Sequence, residues 1–244
     1  LAPGTEIEGT GKGLFTINAD GSYSFNPNGQ FDYLAAGESA TSTIEYTISD
    51  GKGGASTASI TVTIDGVNDA PTAEGTLVDQ ISVDALAGVS IATSAAFADA
   101  DSSNTLIYSA SSLPAGLTID PATGVISGII DNSASQGGAN GVYAVVVTAT
   151  DNAGATATQS FSWTVTNPAP VAAIDTGSTT EDDILTVAAN GVLSNDTDPD
   201  GDVLVVSDVS GAAPGVAIAG IGSGTGNGLF TVNANGSYSF NPNG

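Results

Sequence analysis

Four residue types are missing from the chain: histidine, cysteine, methionine and arginine. Without cysteine there is no disulfide, no thiol nucleophile and no zinc–thiolate site. Without histidine the commonest general base and every Ser-His arrangement are lost. Two spaced carboxylates could still serve a glycosidase, but the acidic residues here fall in short loops of the kind that bind metal. We therefore expect no enzymatic activity.

Positive charge is also scarce. Lys12 and Lys52 are the only basic residues against 26 acidic ones, so the net charge is −24. Nucleic-acid binding needs cations to neutralise phosphates, and an anionic membrane surface would repel this chain. No apolar run approaches the roughly 20 residues that span a bilayer, so we expect no membrane insertion. An acidic surface can serve solubility alone, but carboxylates that cluster would need an external cation, and Ca²⁺ is the natural candidate.

An internal repeat sets the domain organisation. Residues 13–29 (GLFTINADGSYSFNPNG) recur 215 positions later as residues 228–244 (GLFTVNANGSYSFNPNG). The two stretches differ at only two residues. This period is too long for one solenoid unit and suits two different sandwich domains that alternate along a chain. Linkers at 66–71 and 167–170 then divide the sequence into 1–69, 70–168 and 169–244. The middle piece is a complete domain, and the outer pieces are the back and front halves of a second type.

Apolar and polar residues alternate with the period of a β-strand. Ile44, Tyr46 and Ile48 are one such run. Phe161, Trp163 and Val165 are another, in which Trp163 is expected to pack in the core. Asp20-Gly21 marks a tight hairpin, and no segment has a sustained helical period. The sequence predicts an all-β protein of tandem Ig-like antiparallel β-sandwich domains.

The densest acidic motif runs from Asn195 to Asp202 and holds four Asp at alternate positions, namely Asp196, Asp198, Asp200 and Asp202. Carboxylates this close repel one another, whereas Ca²⁺ accepts six to eight oxygen ligands and would make the loop compact. The motif is not an EF-hand, because it lacks a twelve-residue loop that ends in Glu. A solvated acidic turn is the alternative interpretation.

Shorter acidic motifs lie near the linkers and at strand ends. Asp99-Ala100-Asp101, followed by Asn104, forms a loop that enters a strand. The remaining candidates are Asp65, Asn68 and Asp69 in the first linker, and Asp50 and Asp151 at strand ends. Asp at such turns needs no metal to explain it. The linker residues are stronger candidates, because ligands from two domains can converge where the domains meet.

Several motifs together resemble known families. Asn18–Tyr23, Leu34–Glu38, Tyr46–Gly51 and Val67–Pro71 resemble the second half of a VCBS-type, cadherin-like repeat, and Glu181-Asp182, Val192–Asp196 and Asp198–Asp202 resemble its first half. Residues 72–166 are similar to the putative-Ig, or dystroglycan-type cadherin-like, domain, through Leu113–Asp120 and Thr123–Gly128. The resemblance covers nearly the whole chain, and it implies cadherin-like sandwiches in tandem.

The resemblance also implies a function and a ligand set. Such modules occur in large bacterial RTX adhesins that are exported by type I secretion and held at the cell surface, so it implies calcium-rigidified extender repeats that support adhesion or biofilm formation. By the family pattern Asp65, Asn68 and Asp69 would meet Asp99, Asp101 and Asp151 at the first junction. The second linker offers Asn167 and no carboxylate, so the four Asp of the dense motif, with Glu181, would supply most ligands there. Neighbouring repeats are the expected partners, and surface ligands would be bound through other domains.

Two other functions stay open. A carbohydrate- or surface-binding module is one, although aromatic residues make up only 6% of the chain. The second is a head-to-tail filament, in which residues 169–244 of one copy complete residues 1–69 of the next, since exposed sheet edges template pairing. The interpretation we prefer is that the halves only reflect where the sequence window was cut.

Overall fold

The computed structural model describes residues 2–220 and 228–243 of the chain. In these ranges the ordered elements are β-strands with two short 3₁₀ turns, and the sheets are mostly antiparallel. The predicted all-β fold with antiparallel sheets is confirmed. Among the described residues no helix is long and apolar enough to cross a membrane.

The N-terminal segment, residues 6–65, has two small sheets. Its strands are β1 (Glu6–Glu8), β2 (Leu14–Ile17), β3 (Tyr23–Asn26), β4 (Ser39–Ser49) and β5 (Ala55–Asp65), with β1-β2-β3 in one sheet and β4-β5 in the other. The predicted hairpin joins β2 to β3, where Gly21 has a φ of +87° that glycine adopts without strain. The carboxylate of Asp20 accepts the backbone N–H of Ser22 at 3.0 Å and so fixes this turn.

The middle segment, residues 72–166, is a two-layer sandwich. Its strands are β6 (Thr72–Ala73), β7 (Gln80–Val83), β8 (Val89–Ala92), β9 (Phe97–Ala98), β10 (Ile107–Ser111), β11 (Leu117–Ile119), β12 (Val125–Gly128), β13 (Val142–Thr150) and β14 (Thr156–Thr166). One sheet has the order β10-β13-β14-β7 and the other β11-β12-β8, while β6 pairs with β9. β7 runs parallel to β14, so the beginning and the end of this segment lie side by side.

The core of the middle segment lies between its two sheets. Trp163, as expected, is 1% exposed, and Ile126, Val145 and Val147 are fully buried. The indole N–H of Trp163 donates to Oγ of Ser82 at 3.0 Å, which satisfies the polar atom of a buried ring. The strands of this core carry the acidic loops at their ends.

The C-terminal segment, residues 171–241, forms one four-stranded sheet. Its strands are β15 (Leu185–Val187), β16 (Ala217–Ala219), β17 (Leu229–Val232) and β18 (Tyr238–Asn241), in the order β15-β18-β17-β16. β16, β17 and β18 reproduce β1, β2 and β3, as the repeat predicts. The ring centroids of Phe230 and Phe240 are 4.6 Å apart, close to the 4.8 Å between Phe15 and Phe25.

Candidate metal centres at the segment junctions

The first linker lies against two loops of the middle segment. The backbone N–H of Asp69 donates to Oδ2 of Asp101 at 3.0 Å, and Nδ2 of Asn68 donates to Oδ2 of Asp151 at 2.9 Å. Asp99 joins the same cluster, because its Oδ1 accepts the backbone N–H of Asp101 at 2.9 Å. Five of the candidate ligands are therefore brought together at this junction, from a linker, a strand-entry loop and a strand end.

Asp101 is the buried centre of this first cluster. Its side chain is 2% exposed, and Oδ1 has no hydrogen-bond partner. Its other oxygen accepts Nδ2 of Asn104 at 3.2 Å as well as the N–H of Asp69. A buried carboxylate oxygen without a donor is costly, and a bound cation would remove that cost.

The N-terminal and middle segments also touch directly at this junction. The backbone N–H and the hydroxyl of Ser102 both donate to the carbonyl oxygen of Tyr33, at 3.0 and 3.2 Å. Beside this contact lies a polar recess of about 370 Å³ that Glu38, Asn68 and Asn104 help to line. The two segments are therefore joined by backbone and side-chain hydrogen bonds as well as by the linker.

Asp151 is a turn residue that also faces the linker. Its Oδ1 accepts the N–H groups of Ala153 and Ala155 at 2.9 and 2.8 Å, while Oδ2 accepts Asn68. The hydrogen bond from Asn68, followed by those from the turn, lowers the pKa of Asp151 below its ordinary value. The carboxylate is ionised at neutral pH, as a metal ligand must be.

Two candidates lie outside this cluster. Asp50 closes the β4–β5 hairpin at the end opposite to the linker, where its Oδ1 accepts the N–H groups of Lys52 and Gly54 at 2.8 and 2.9 Å. These backbone hydrogen bonds lower its pKa. Asp65 is the last residue of β5 and has an exposed side chain. The structure gives Asp50 the role of a turn residue, which was the alternative interpretation of its position.

The dense acidic motif forms a second cluster. Oxygens of Asp198, Asp200 and Asp202 lie within 4.8 Å of one another, and in the described part of the chain no other carboxylate trio is this tight. At the first junction, amide and N–H donors lie between the carboxylates instead. Asp200 is 7% exposed and neither of its oxygens has a hydrogen-bond partner. Three carboxylates so close fit a divalent cation.

The close packing of this trio changes the protonation of Asp200. A proton on Asp200 allows a hydrogen bond to Asp198, and this interaction, with burial and the neighbouring charges, raises the pKa of Asp200 to about 6. The same hydrogen bond lowers the pKa of Asp198. A cation would compete with that proton for the same oxygens.

Sequence reasoning missed Asp84, which lies at the second junction. It follows β7, and its N–H donates to the carbonyl of Thr166, the last residue of β14 before the linker. Asp84 is 3% exposed; Oδ1 accepts the N–H of Ser135 at 2.8 Å, and Oδ2 has no partner. A lone Asp at a strand end is no motif, and only the parallel pairing of β7 with β14 places it at the linker.

One loop of the middle segment, residues 131–136, connects the groups at the second junction. Nδ2 of Asn132 donates to the carbonyl oxygen of Asp200 at 3.2 Å, and Gln136 donates to the side chain of Asn167 in the linker at 3.4 Å. Through Ser135 the same loop holds Asp84. The loop therefore touches the linker, the buried Asp84 and the acidic trio.

The last two candidates lie at the edge of this site. Oδ1 of Asp196 accepts the N–H of Ala173 at 2.8 Å, which fastens the acidic loop to the chain just after the linker. Glu181 is exposed, and its backbone oxygen accepts Nδ2 of Asn243 at 3.3 Å. Neither belongs to the trio. Both clusters offer carboxylate and amide oxygens alone, a donor set that suits the hard cations Ca²⁺ and Mg²⁺.

Comparison with known families fits this architecture. The family model of the bacterial cadherin-like domain matches residues 2–66 and 167–244, together more than half of the chain. The family model of the Putative Ig domain matches residues 70–166. The chain belongs to the bacterial cadherin-like domain family, with a domain of the second family between the two matched parts. Both families are structural modules, and cadherin-like domains generally bind calcium at the junctions between repeats.

Solved structures of cadherin repeats also match. Mouse cadherin-23 EC22–24 is 16% identical, with a TM-score of 0.47, over 98% of this chain and 74% of that one. Protocadherin PcdhgB3 EC1–4 is 14% identical, with a TM-score of 0.43, over 94% and 54%. Drosophila N-cadherin EC1–3 is 15% identical, with a TM-score of 0.31, over 62% and 50%. The chain thus spans about half the length of the last two structures. No curated protein matches the chain.

Proposed function

We propose that the chain is a run of extender repeats of a secreted bacterial adhesin, in which calcium rigidifies the junctions between domains. The proposed domains are residues 1–69, 70–168 and 169–244. In this role the repeats hold other parts of a surface protein away from the cell. The chain itself neither binds the adhesion target nor catalyses a reaction.

The observation that supports this proposal best is the environment of Asp101. Its carboxylate is almost fully buried between the linker and the middle segment, yet Oδ1 has no donor. Asp101 accepts the backbone N–H of Asp69 and donates its own backbone N–H to Asp99. Asn68, the residue before Asp69, donates to Asp151 and so brings that carboxylate to the same linker. The chain has only two basic residues in all, so protein cations cannot neutralise this group. A divalent cation is the neutraliser that the donor set fits.

Each junction has its own proposed ligands. At the first they are carboxylate oxygens of Asp69, Asp99, Asp101 and Asp151, with amide oxygens of Asn68 or Asn104. At the second they are Asp198, Asp200 and Asp202, with Asp84 as the contribution of the middle domain. When bound, calcium would offset the repulsion of the carboxylates and stabilise the folded state by linkage. Because each set includes residues from both sides of a linker, binding would also restrict bending there.

Composition and family support the proposed cellular setting. Cadherin-like domains are extracellular modules, and a chain without cysteine lacks the disulfides that often stabilise small secreted domains. Bound metal would stabilise the domains in place of disulfides. We infer export by type I secretion, attachment at the bacterial surface as in RTX adhesins, and a role in cell adhesion or biofilm formation.

The proposal is tested by unfolding and scattering in calcium and in chelator. We expect calcium, more than magnesium, to raise the Tm and to give a longer, more rigid scattering envelope. Asp101→Asn should lose most of the rise in Tm that calcium causes through the first junction. Its Tm in chelator should stay that of the wild type, because the change neutralises a buried unpaired charge. Asp20→Asn is the matched control, because Asn235 makes the same turn in the second copy, with its Oδ1 3.1 Å from the N–H of Ser237.

Two results would contradict this function. Equal Tm and equal scattering envelopes in calcium and in chelator would exclude calcium as the rigidifying agent. If calcium raised the Tm of Asp101→Asn as much as that of Asp20→Asn, the cluster around Asp101 would not be the calcium site.

A further inference from the structure

The acidic trio of the second junction lies wholly in residues 198–202, beyond the linker. Its loop is fastened to the chain just after the linker, because Val171 and Thr197 exchange two backbone hydrogen bonds of 2.7 and 3.0 Å. An ion held by the trio alone would therefore move with the C-terminal segment when the linker bends. Residues 167–170 of the linker offer no carboxylate. A group of the middle segment must fix the trio if the ion is to restrict bending.

In the described ranges, one hydrogen bond joins the middle segment to the chain beyond this linker. Nδ2 of Asn132 donates to the carbonyl oxygen of Asp200 at 3.2 Å. Burial within the acidic loop is greatest at the same residue, since Asp200 is buried while Asp198 is half-buried and Asp202 is exposed. The middle segment thus contacts the acidic loop at its most buried residue, through Asn132.

Asn132 projects from a loop that the core holds on both sides. Ile130 and Ala134, two residues before and two residues after it, are each 1% exposed and belong to the core of the middle segment. The N–H of Asp131 donates to the carbonyl oxygen of Ala115 at 2.9 Å, which ties the loop to the sandwich as well. Because its backbone is fixed, the amide of Asn132 can hold the acidic loop only at a defined place on the middle segment.

The same loop holds the buried carboxylate of the middle segment. The N–H of Ser135 donates to Oδ1 of Asp84 at 2.8 Å. Asp84 and Asp200 are thus bound to residues three positions apart in one short loop. Each of these two carboxylates is buried and has an oxygen without a hydrogen-bond donor. A shared cation would remove the cost of both at once.

We propose that Asn132 is the positioning residue of the second junction, which holds the loop of Asp200 so that the acidic trio and Asp84 share one calcium ion. This inference rests on the proposed function and adds the group that makes the second centre a bridge between two segments. Without Asn132 the trio would bind calcium as a local loop, more weakly and with no effect on bending. Asn132 and Asp84 therefore act in series, since the loss of either separates the trio from the middle segment.

A double-mutant cycle tests this dependence. All chains carry Asp101→Asn, so that calorimetry of calcium binding reads the second junction. We expect Asn132→Ala and Asp84→Asn each to lower calcium affinity roughly 10–100-fold. Because the two groups act in series, the double variant should bind within about twofold of the weaker single variant, whereas independent groups would multiply their losses.

A second measurement reads the bending of the junction. The chain has no cysteine, so Ser109→Cys and Thr186→Cys can carry spin labels at exposed strand positions on either side of the linker. Calcium should narrow the distance distribution between the labels in the parent chain and leave it unchanged in Asn132→Ala. Ser133→Ala is the matched control and should narrow like the parent, because its hydroxyl donates within the loop, to Asp131 at 2.7 Å.

The outcomes separate this inference from the proposed function. Multiplied losses in the cycle, or a narrowing that survives Asn132→Ala, would overturn the role of Asn132 and leave calcium binding by the trio intact. A loss of narrowing in Ser133→Ala would overturn it too, because the whole loop and not this amide would then be responsible. A parent chain that binds no calcium would overturn the proposed function and this inference together.

Discussion

Nδ2 of Asn68 donates a hydrogen bond to Oδ2 of Asp151, 2.9 Å away, and so joins the first linker to a strand end 83 residues later. The interaction is charge-assisted and lowers the pKa of Asp151. It also orients a proposed ligand of the first metal centre. The linker is therefore held to the middle segment by side chains as well as by the covalent chain.

Replacing Asn68 by alanine should weaken the first metal centre. We expect calcium affinity there to fall roughly 10–100-fold, as is typical when a group that orients a ligand is removed. The pKa of Asp151 should rise towards its ordinary value, which NMR titration in chelator measures separately from calorimetry of calcium binding. Asn18→Ala is the control, because Asn18 bonds only locally to Oγ of Ser22. An unchanged pKa of Asp151 would contradict the assigned hydrogen bond.

Asp84→Asn should affect stability differently in chelator and in calcium. In chelator we expect an equal or higher Tm, because the change removes a buried charge whose Oδ2 has no partner. In calcium the variant should gain less stability than the wild type, since one ligand of the second junction is lost. Asp79→Asn is the matched control, as its exposed carboxylate accepts the N–H of Ser162. A full calcium gain in Asp84→Asn would remove Asp84 from the proposed site.

Stability in chelator should depend on pH through Asp200. Its folded pKa, about 6, lies above the ordinary value, so the folded state binds the proton more tightly than the unfolded chain does. This contribution is present at low pH and is lost as pH rises through about 6. We expect a higher Tm at pH 5 than at pH 7 in chelator, measured by calorimetry.

Asp200→Asn should remove that difference in Tm between pH 5 and pH 7. Asp120→Asn should keep it, because turn hydrogen bonds lower the pKa of Asp120 and place its titration below this window. In calcium the wild type should lose the difference, since protons compete with the metal for Asp200. A Tm in chelator that rises from pH 5 to pH 7 would contradict the assignment.

The core of the middle segment should contribute the same stability with and without calcium. Ile126 is 0% exposed, and Ile126→Ala is expected to cost about 2–5 kcal/mol of unfolding free energy, in calcium and in chelator alike. Ile107 lies in the same segment but is 56% exposed, so Ile107→Ala should stay within about 0.5 kcal/mol. Denaturant unfolding followed by Trp163 fluorescence measures both. A cost for Ile126→Ala that appeared only in chelator would contradict this separation.

Local patterns were enough to predict much of the fold and part of the sites. Alternation predicted strands that include Ile44 and Trp163, and Asp20-Gly21 predicted a hairpin; both follow from rules that act over a few residues. The meeting of Asp69, Asp99 and Asp101 was expected from the family resemblance. Asp84 could not be found in this way, because its role depends on a parallel pairing between strands about 80 residues apart. Asp50 and Asp151 make the same turn, in which Oδ1 accepts the N–H groups two and four residues later. Only the tertiary structure, which places one turn at the linker and the other away from it, separates the two.

The parallel ladder between β7 and β14 has a consequence for a chain under tension. Its four residue pairs, from Trp163–Gln80 to Thr166–Val83, join the strand near the entry of the middle domain to the strand at its exit. A pull on both ends therefore slides these strands past each other and strains their hydrogen bonds together, whereas an antiparallel hairpin opens one bond at a time. We expect this domain to resist extension in a pulling experiment, with a higher unfolding force than a domain whose terminal strands form an antiparallel hairpin.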